Sequence, residues 1–163
     1  MLKKLSFGVL LLACLVGCGD KKTAFNYNED FVKKEKSLEP EITSTEAKVS
    51  GYMASEHWDS IGIAGEKMES MIGDIVKQIK DKPAPDVKEG QNFKDAGVRY
   101  FEFMKNMYTV YKDYGRAADQ EGRDAQLQKL RDLADKKRVE IENIQDAQKK
   151  FADANGFKIE SKY

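Results

Sequence analysis

The chain has 163 residues, with 28 Lys and Arg against 28 Asp and Glu, a single His and two Cys. Balanced charge removes the basic excess on which nucleic-acid binding depends, so no nucleic-acid partner is expected. The length suits one domain behind an N-terminal leader, and two cysteines permit at most one disulfide.

The leader has three parts. Lys3 and Lys4 give a positive start, an apolar run from Leu5 to Leu15 is broken only by Ser6 and Gly8, and Gly17 supplies a small residue before a cut. The run falls short of the ~20 residues that a helix needs to span a bilayer, so it reads as an export signal. The tetrad Leu15-Val16-Gly17-Cys18 resembles the lipobox of bacterial lipoproteins. In that family a diacylglyceryl group is placed on the Cys thiol and cleavage leaves the Cys as the first mature residue. The resemblance implies that residues 1–17 are a removed signal peptide, that Cys18 is lipidated, and that the membrane partner is reached through this lipid. It also implies a bacterial envelope location. In Gram-negative lipoproteins an Asp directly after the Cys favours the inner membrane; Gly19 stands there instead, which favours the outer membrane and leaves the choice of face open.

Two consequences follow for the mature chain. Each buried CH₂ adds ~0.8 kcal/mol of membrane affinity, so two or three chains on one cysteine anchor it durably. Cys14 leaves with the signal and Cys18 carries lipid, so no disulfide is available and the fold must rest on packing. Loss of Lys3 and Lys4 leaves 26 basic against 28 acidic residues.

Residues 18–25 then read as the lipidated Cys and a short polar tether, and 26–163 as one helical domain. A first helix is expected from Asn26, with Glu29 in the capping-box position. Phe31, Leu38, Ile42, Thr45, Val49 and Met53 keep one face toward a partner, in phase across Pro40. Proline removes a backbone donor and crowds the preceding turn, so a kinked helix is predicted there. A second helix, about 55–80, carries Ile61, Met68, Ile72, Ile75 and Ile79. Gly62, Gly65 and Gly73 weaken it by up to ~1 kcal/mol each but let a neighbour approach closely. Pro83-Ala84-Pro85 marks the clearest loop.

A third helix, about 90–119, buries Phe93, Phe101, Met104, Tyr108 and Tyr111 or Tyr114. Val98, Tyr100, Phe103 and Met107 widen its face. A fourth, about 124–155, follows Leu127, Leu130, Ala134, Ile141, Ile144, Gln148 and Phe151, with Lys137 snorkelling at one seam step. Asp132 with Lys136 and Asp146 with Lys150 are acid-first pairs at i,i+4. Asn155-Gly156 stops it, with Phe157 folding back on Phe151 or Ala152. No segment reads as a strand. The fold class is all-α, an up-down-up-down four-helix bundle with the first helix kinked near Pro40. The ending Gln148-Lys149-Lys150-Phe151-Ala152-Asp153-Ala154-Asn155-Gly156-Phe157, with Tyr27-Asn28 at the opening, resembles small helical bacterial surface lipoproteins of unassigned activity. That group carries no catalytic residues to transfer.

Chemistry has few candidates. A di-iron bundle needs Glu-x-x-His motifs, and His57 has Ala54 three residues before it. His57 with Glu56 and Asp59 has poor ligand spacing, so no metal and no cofactor is expected. A nucleophile elbow, a mature thiol and a phosphate-binding glycine loop are all missing from the sequence. The aromatic run of the third helix gives the one ligand-binding candidate: Tyr100, Tyr108 and Tyr111 at helical spacing would line a groove for an apolar ligand or glycan. The leading expectation is a membrane-anchored, non-enzymatic binding or structural module whose partner is an envelope protein or the cell wall. A carrier using those tyrosines is the alternative, and a carboxylate hydrolase the third reading.

Overall fold

The computed structural model describes residues 18–159; the signal-peptide reading of 1–17 and the last four residues lie outside them. Four helices form a bundle: α1 (Cys18–Ala54), α2 (Trp58–Asp81), α3 (Gly90–Arg116) and α4 (Gln120–Ala154), and the described residues contain no strand. Cross-helix pairs establish the alternating direction. Lys82 of the α2 end meets Asp30 near the start of α1, and Lys67 meets Glu41 further along. Arg116 meets Glu66, and Phe93 stacks on Phe151 at 4.9 Å between ring centroids.

α1 begins about eight residues before the expected cap. Residues 18–25, read from sequence as a tether, are helical, and Ala24 is fully buried in the core. Asn26 and Glu29 are therefore inside the helix and cap nothing. The buried positions Ala24, Asn28, Phe31, Leu38, Thr45 and Val49 continue a single three-four stripe. Pro40 sits within this one continuous helix on its exposed side. The exposed Lys36 backbone that loses its donor there faces water, so the helix runs on.

The helix ends show which stop signals were decisive. At the close of α1 the amides of Glu56 and His57 return to the carbonyls of Met53 and Tyr52, with Glu56 at φ 57°. This is a Schellman turn made without glycine. At the close of α4 the same turn uses Gly156 at φ 68°. The Phe157 amide bonds the Ala152 carbonyl, and its ring packs 5.8 Å from Phe151. α4 starts four residues earlier than expected because Asp119 accepts the Gly122 amide at 2.8 Å and caps it.

α2 and α3 form the tightest pair. A Cβ on Gly65 would lie 2.9 Å from Lys112 Cα and from the Tyr108 carbonyl oxygen, and one on Gly115 would lie 2.6 Å from Gly62 Cα. Backbone meets backbone here. α1 reaches α3 through a side chain instead, since a Cβ on Gly97 would strike the Phe31 ring at 2.8 Å. One continuous core joins Phe31, Leu38, Met68, Ile72, Phe93, Phe101, Tyr108, Ile144 and Phe151. A smaller cluster of Val49, Ile61 and Tyr114 closes the other end, with Trp58 and Leu127 against it.

α4 is held less evenly. Ile144, Phe151 and Ala152 are its buried residues, all in the second half, whereas Ala134 and Lys137 of the expected seam are exposed. The expected pairs Asp132–Lys136 and Asp146–Lys150 are replaced by Arg138–Glu142, six residues further on, and Lys149–Asp153, three residues further on.

The glycine contacts give a paired test. Gly65→Ala should gain helix propensity yet lose about 1–3 kcal/mol because two backbones must separate. Gly73→Ala meets nothing nearer than Lys105 Cε at 3.9 Å, so it should gain up to about 1 kcal/mol. Urea denaturation of the two variants checks both signs, and a stabilised Gly65→Ala would refute the close approach.

Candidate functional site

The three tyrosines of the ligand-binding expectation lie on one helix but in different settings. Tyr108 is 4% exposed and belongs to the main core. Its phenol is pushed well above the ordinary range, first by burial and then by the Glu46 carboxylate and Tyr111. Tyr111 is half-buried at 5.9 Å from the Tyr108 ring, and burial, then Glu46, raises it too. Tyr100 lies two turns earlier, half-buried against Phe101 at 5.4 Å, and its hydroxyl donates to Glu35 Oε1 at 2.8 Å. The fold thus brings Tyr108 and Tyr111 together and engages Tyr100 with α1. Helical periodicity placed these rings on the inward side of α3 but did not reveal how far each reaches inward.

Hollows among the described residues lie in other places. One, between α1, α2 and α3, holds about 10 Å³ and is lined by Tyr27, Asp30, Phe31, Ile79 and Phe93 among others. That is room for roughly one water. The other is an open flank along α4 beside Asp132, Asp135, Lys136, Val139 and Glu140. Neither is lined by Tyr100, Tyr108 or Tyr111.

Polar side chains between helices form bridges that helical spacing alone does not reveal. Glu69 of α2 accepts from Lys112 Nζ at 2.6 Å and from Thr109 Oγ1 at 2.8 Å, both on α3. Burial resists ionisation of Glu69, but the Lys112 and Thr109 hydrogen bonds outweigh it and hold the carboxyl below its ordinary value. Asp30 behaves alike: burial opposes its charge, and Lys34 with Lys82 lowers it overall. Buried Asn28 accepts from Gln148 Nε2 at 2.7 Å, so the polar step in the α4 seam has a partner on α1.

His57 is exposed at the start of α2, with Ser55 Oγ at 3.4 Å from its Nδ1. No group of three His, Cys, Asp or Glu side chains among the described residues is arranged to hold a metal ion. No described helix is long and apolar enough to cross a membrane. Cys18, the lipidation candidate, is the first residue of α1, directly continuous with the core-forming part of that helix. Comparisons with protein-family models, curated proteins and solved structures find no match for this chain.

Two outcomes follow from this geometry. Tyr108→Ala removes a buried aromatic ring and should destabilise the fold by about 3 kcal/mol or more, measured by thermal or urea unfolding. A variant as stable as the parent would mean that the ring faces open space. Glu69→Gln should cost about 1 kcal/mol or less at neutral pH. A depressed folded-state pKa stabilises above the unfolded value and loses that contribution as pH falls through the folded value. The gap between parent and Glu69→Gln should therefore close only below the ordinary value of 4.5. A gap unchanged down to pH ~3, well below the ordinary carboxylate range, would show that Glu69 acts without its charge.

Proposed function

We propose that this chain is a bacterial envelope lipoprotein, anchored through acyl chains on Cys18, whose helical domain acts as a non-enzymatic binding or structural module. The observation that carries the reading is the order of Lys3-Lys4, the apolar run and Leu15-Val16-Gly17-Cys18. A charged start, a run too short to span and a small residue before the cut make a leader. The cysteine at its end makes it a lipoprotein leader. Gly19 in place of Asp favours the outer membrane in a Gram-negative cell.

The packing supports a module rather than a reaction centre. Tyr108 is spent on the core, and the polar groups of Glu69, Glu35 and Asn28 are engaged by side chains of neighbouring helices. Side chains used in this way hold the helices and present little directed chemistry to a substrate. The partner on this reading is an envelope protein or the cell wall, reached from a membrane-bound position.

Attachment is directly testable. Cys18→Ser should abolish lipidation and signal cleavage at this site, so the precursor persists and the mature membrane-bound form is lost. Mass spectrometry of the N-terminal peptide from the membrane fraction provides the measurement. Normal maturation and membrane retention of Cys18→Ser would sink the lipoprotein reading.

A further inference from the structure

α1 enters the bundle without a flexible joint. Its helix starts at Cys18, Ala24 is fully buried, and the Phe25 ring stands edge-on to Phe157 at 5.8 Å. Six helical steps separate Cys18 from Ala24, a rise of about 9 Å. A polar tether of the same length would let the domain swing, whereas a helix fixes where the bundle begins.

The bundle end nearest Cys18 has a distinct surface. Lys21 and Lys22 on the first turns, Lys88 in the α2–α3 connection and Lys158 beyond α4 are all exposed. Asn155 Nδ2 donates to the Lys88 carbonyl at 2.9 Å, which ties that connection to the end of α4. Phe25 remains 42% exposed at this end. Asp20, Asp86 and Glu89 share it and reduce its positive charge, and Asp153 there is paired with Lys149. The opposite end carries the turn into α2 with Trp58, the single tryptophan, beside Arg123 at 4.9 Å. Thirty-seven helical residues put that end about 50–55 Å from Cys18 along the axis.

We infer that α1 is a rigid stem that holds the bundle upright on the bilayer, with Lys21, Lys22, Phe25, Lys88 and Lys158 against anionic phospholipid headgroups and the Trp58 end directed outward. The inference rests on the lipidation of Cys18 proposed above. The bonds joining the thioether to its glycerol act as a swivel, so the stem alone sets height but not tilt. Lysines from three separate segments lie at this end of the bundle, and anionic headgroups attract each of them. A tilt that lifts any of these segments from the surface loses that attraction. A partner would then meet the Trp58 end, with the turn 55–57 and the connection between α3 and α4.

Energy transfer from native Trp58 tests the orientation. The lipidated full mature chain is reconstituted into vesicles of phosphatidylethanolamine and phosphatidylglycerol that contain a dansyl-labelled lipid. An upright bundle keeps Trp58 far above the dansyl layer, so transfer should be small. Inserting Gly-Ser-Gly-Ser-Gly-Ser between Asp20 and Lys21 leaves every buried residue in place but breaks the stem. Transfer should then rise at least about threefold as Trp58 samples the surface through a flexible coil. Combining Lys21→Glu with Lys22→Glu should raise it in the same direction. Equal transfer in the parent and the linker variant, whether high or low, overturns the stem. Vesicle flotation separates the two failures. A parent chain that does not float lacks the anchor and removes both readings, whereas a floating parent with transfer equal to that of the linker variant removes the stem alone.

Discussion

The backbone approach of α2 and α3 is the constraint on which the rest of the bundle depends. Gly62, Gly65 and Gly115 remove the side chains that would hold these helices at ordinary spacing. Interaxial distance is set by what lies at the contact, and nothing but hydrogen projects here. The close pair brings Met68, Ile72, Phe101 and Tyr108 into one compact layer. Its flanks are then near enough for Glu69 to reach both Lys112 and Thr109. Three glycines lower helix propensity in the isolated segments, so these helices exist because they are packed.

α1 and α4 are added to that pair with unequal grip. α1 buries a stripe along nearly its whole length and lets Phe31 meet Phe93 and Phe101 at 5.2 and 5.3 Å because Gly97 is bare. α4 is fastened near its end by Ile144, Phe151 and Ala152 together with Phe157, and at its start by Leu127 beside Tyr114. Between these points Ala134, Lys137 and Val139 face solvent. A helix segment with few buried apolar contacts opens at lower cost than the core around it. The middle of α4 is therefore held more weakly than its Phe151 end.

Four helices in alternating order were legible because Phe31, Leu38, Val49, Ile61, Phe101 and Ile144 recur at helical spacing and bury as that spacing requires. The stop at Gly156 was legible for a similar reason, since glycine relieves the cost of a left-handed residue. Glu56 makes an equivalent turn at the end of α1 with no residue type to announce it. Residues 18–25 misled because Asp20, Lys21, Lys22 and Thr23 are polar, and a polar run before a strong capping pattern resembles a linker. One alanine reaching the core is too weak a periodic signal to extend a helix by two turns. The tyrosines of α3 were placed on the right helix face, but Tyr108 differs from Tyr100 in depth. Depth is set by how closely the neighbouring helices approach, which their own spacing patterns do not encode.

Ion pairs line both seams of α2, toward α1 and toward α3. Lys67 and Lys82 reach Glu41 and Asp30 on α1, while Glu66, Glu69 and Lys80 reach Arg116, Lys112 and Glu102 on α3. Exposed pairs of this kind contribute little stability, about 0–1 kcal/mol each. Their larger effect is on register, because a shift of one helix along another would part these opposite charges. The α4 ion pairs found among the described residues are internal to that helix. Its position is therefore chosen by shape instead, through Phe151 stacked on Phe93 and the Gln148–Asn28 bond to α1. Both contacts lie at the end where α1 begins. The aromatic stack, the buried amide bond and the first turns of α1 thus reinforce one another at the Cys18 end, and helical order there extends from the core to Cys18.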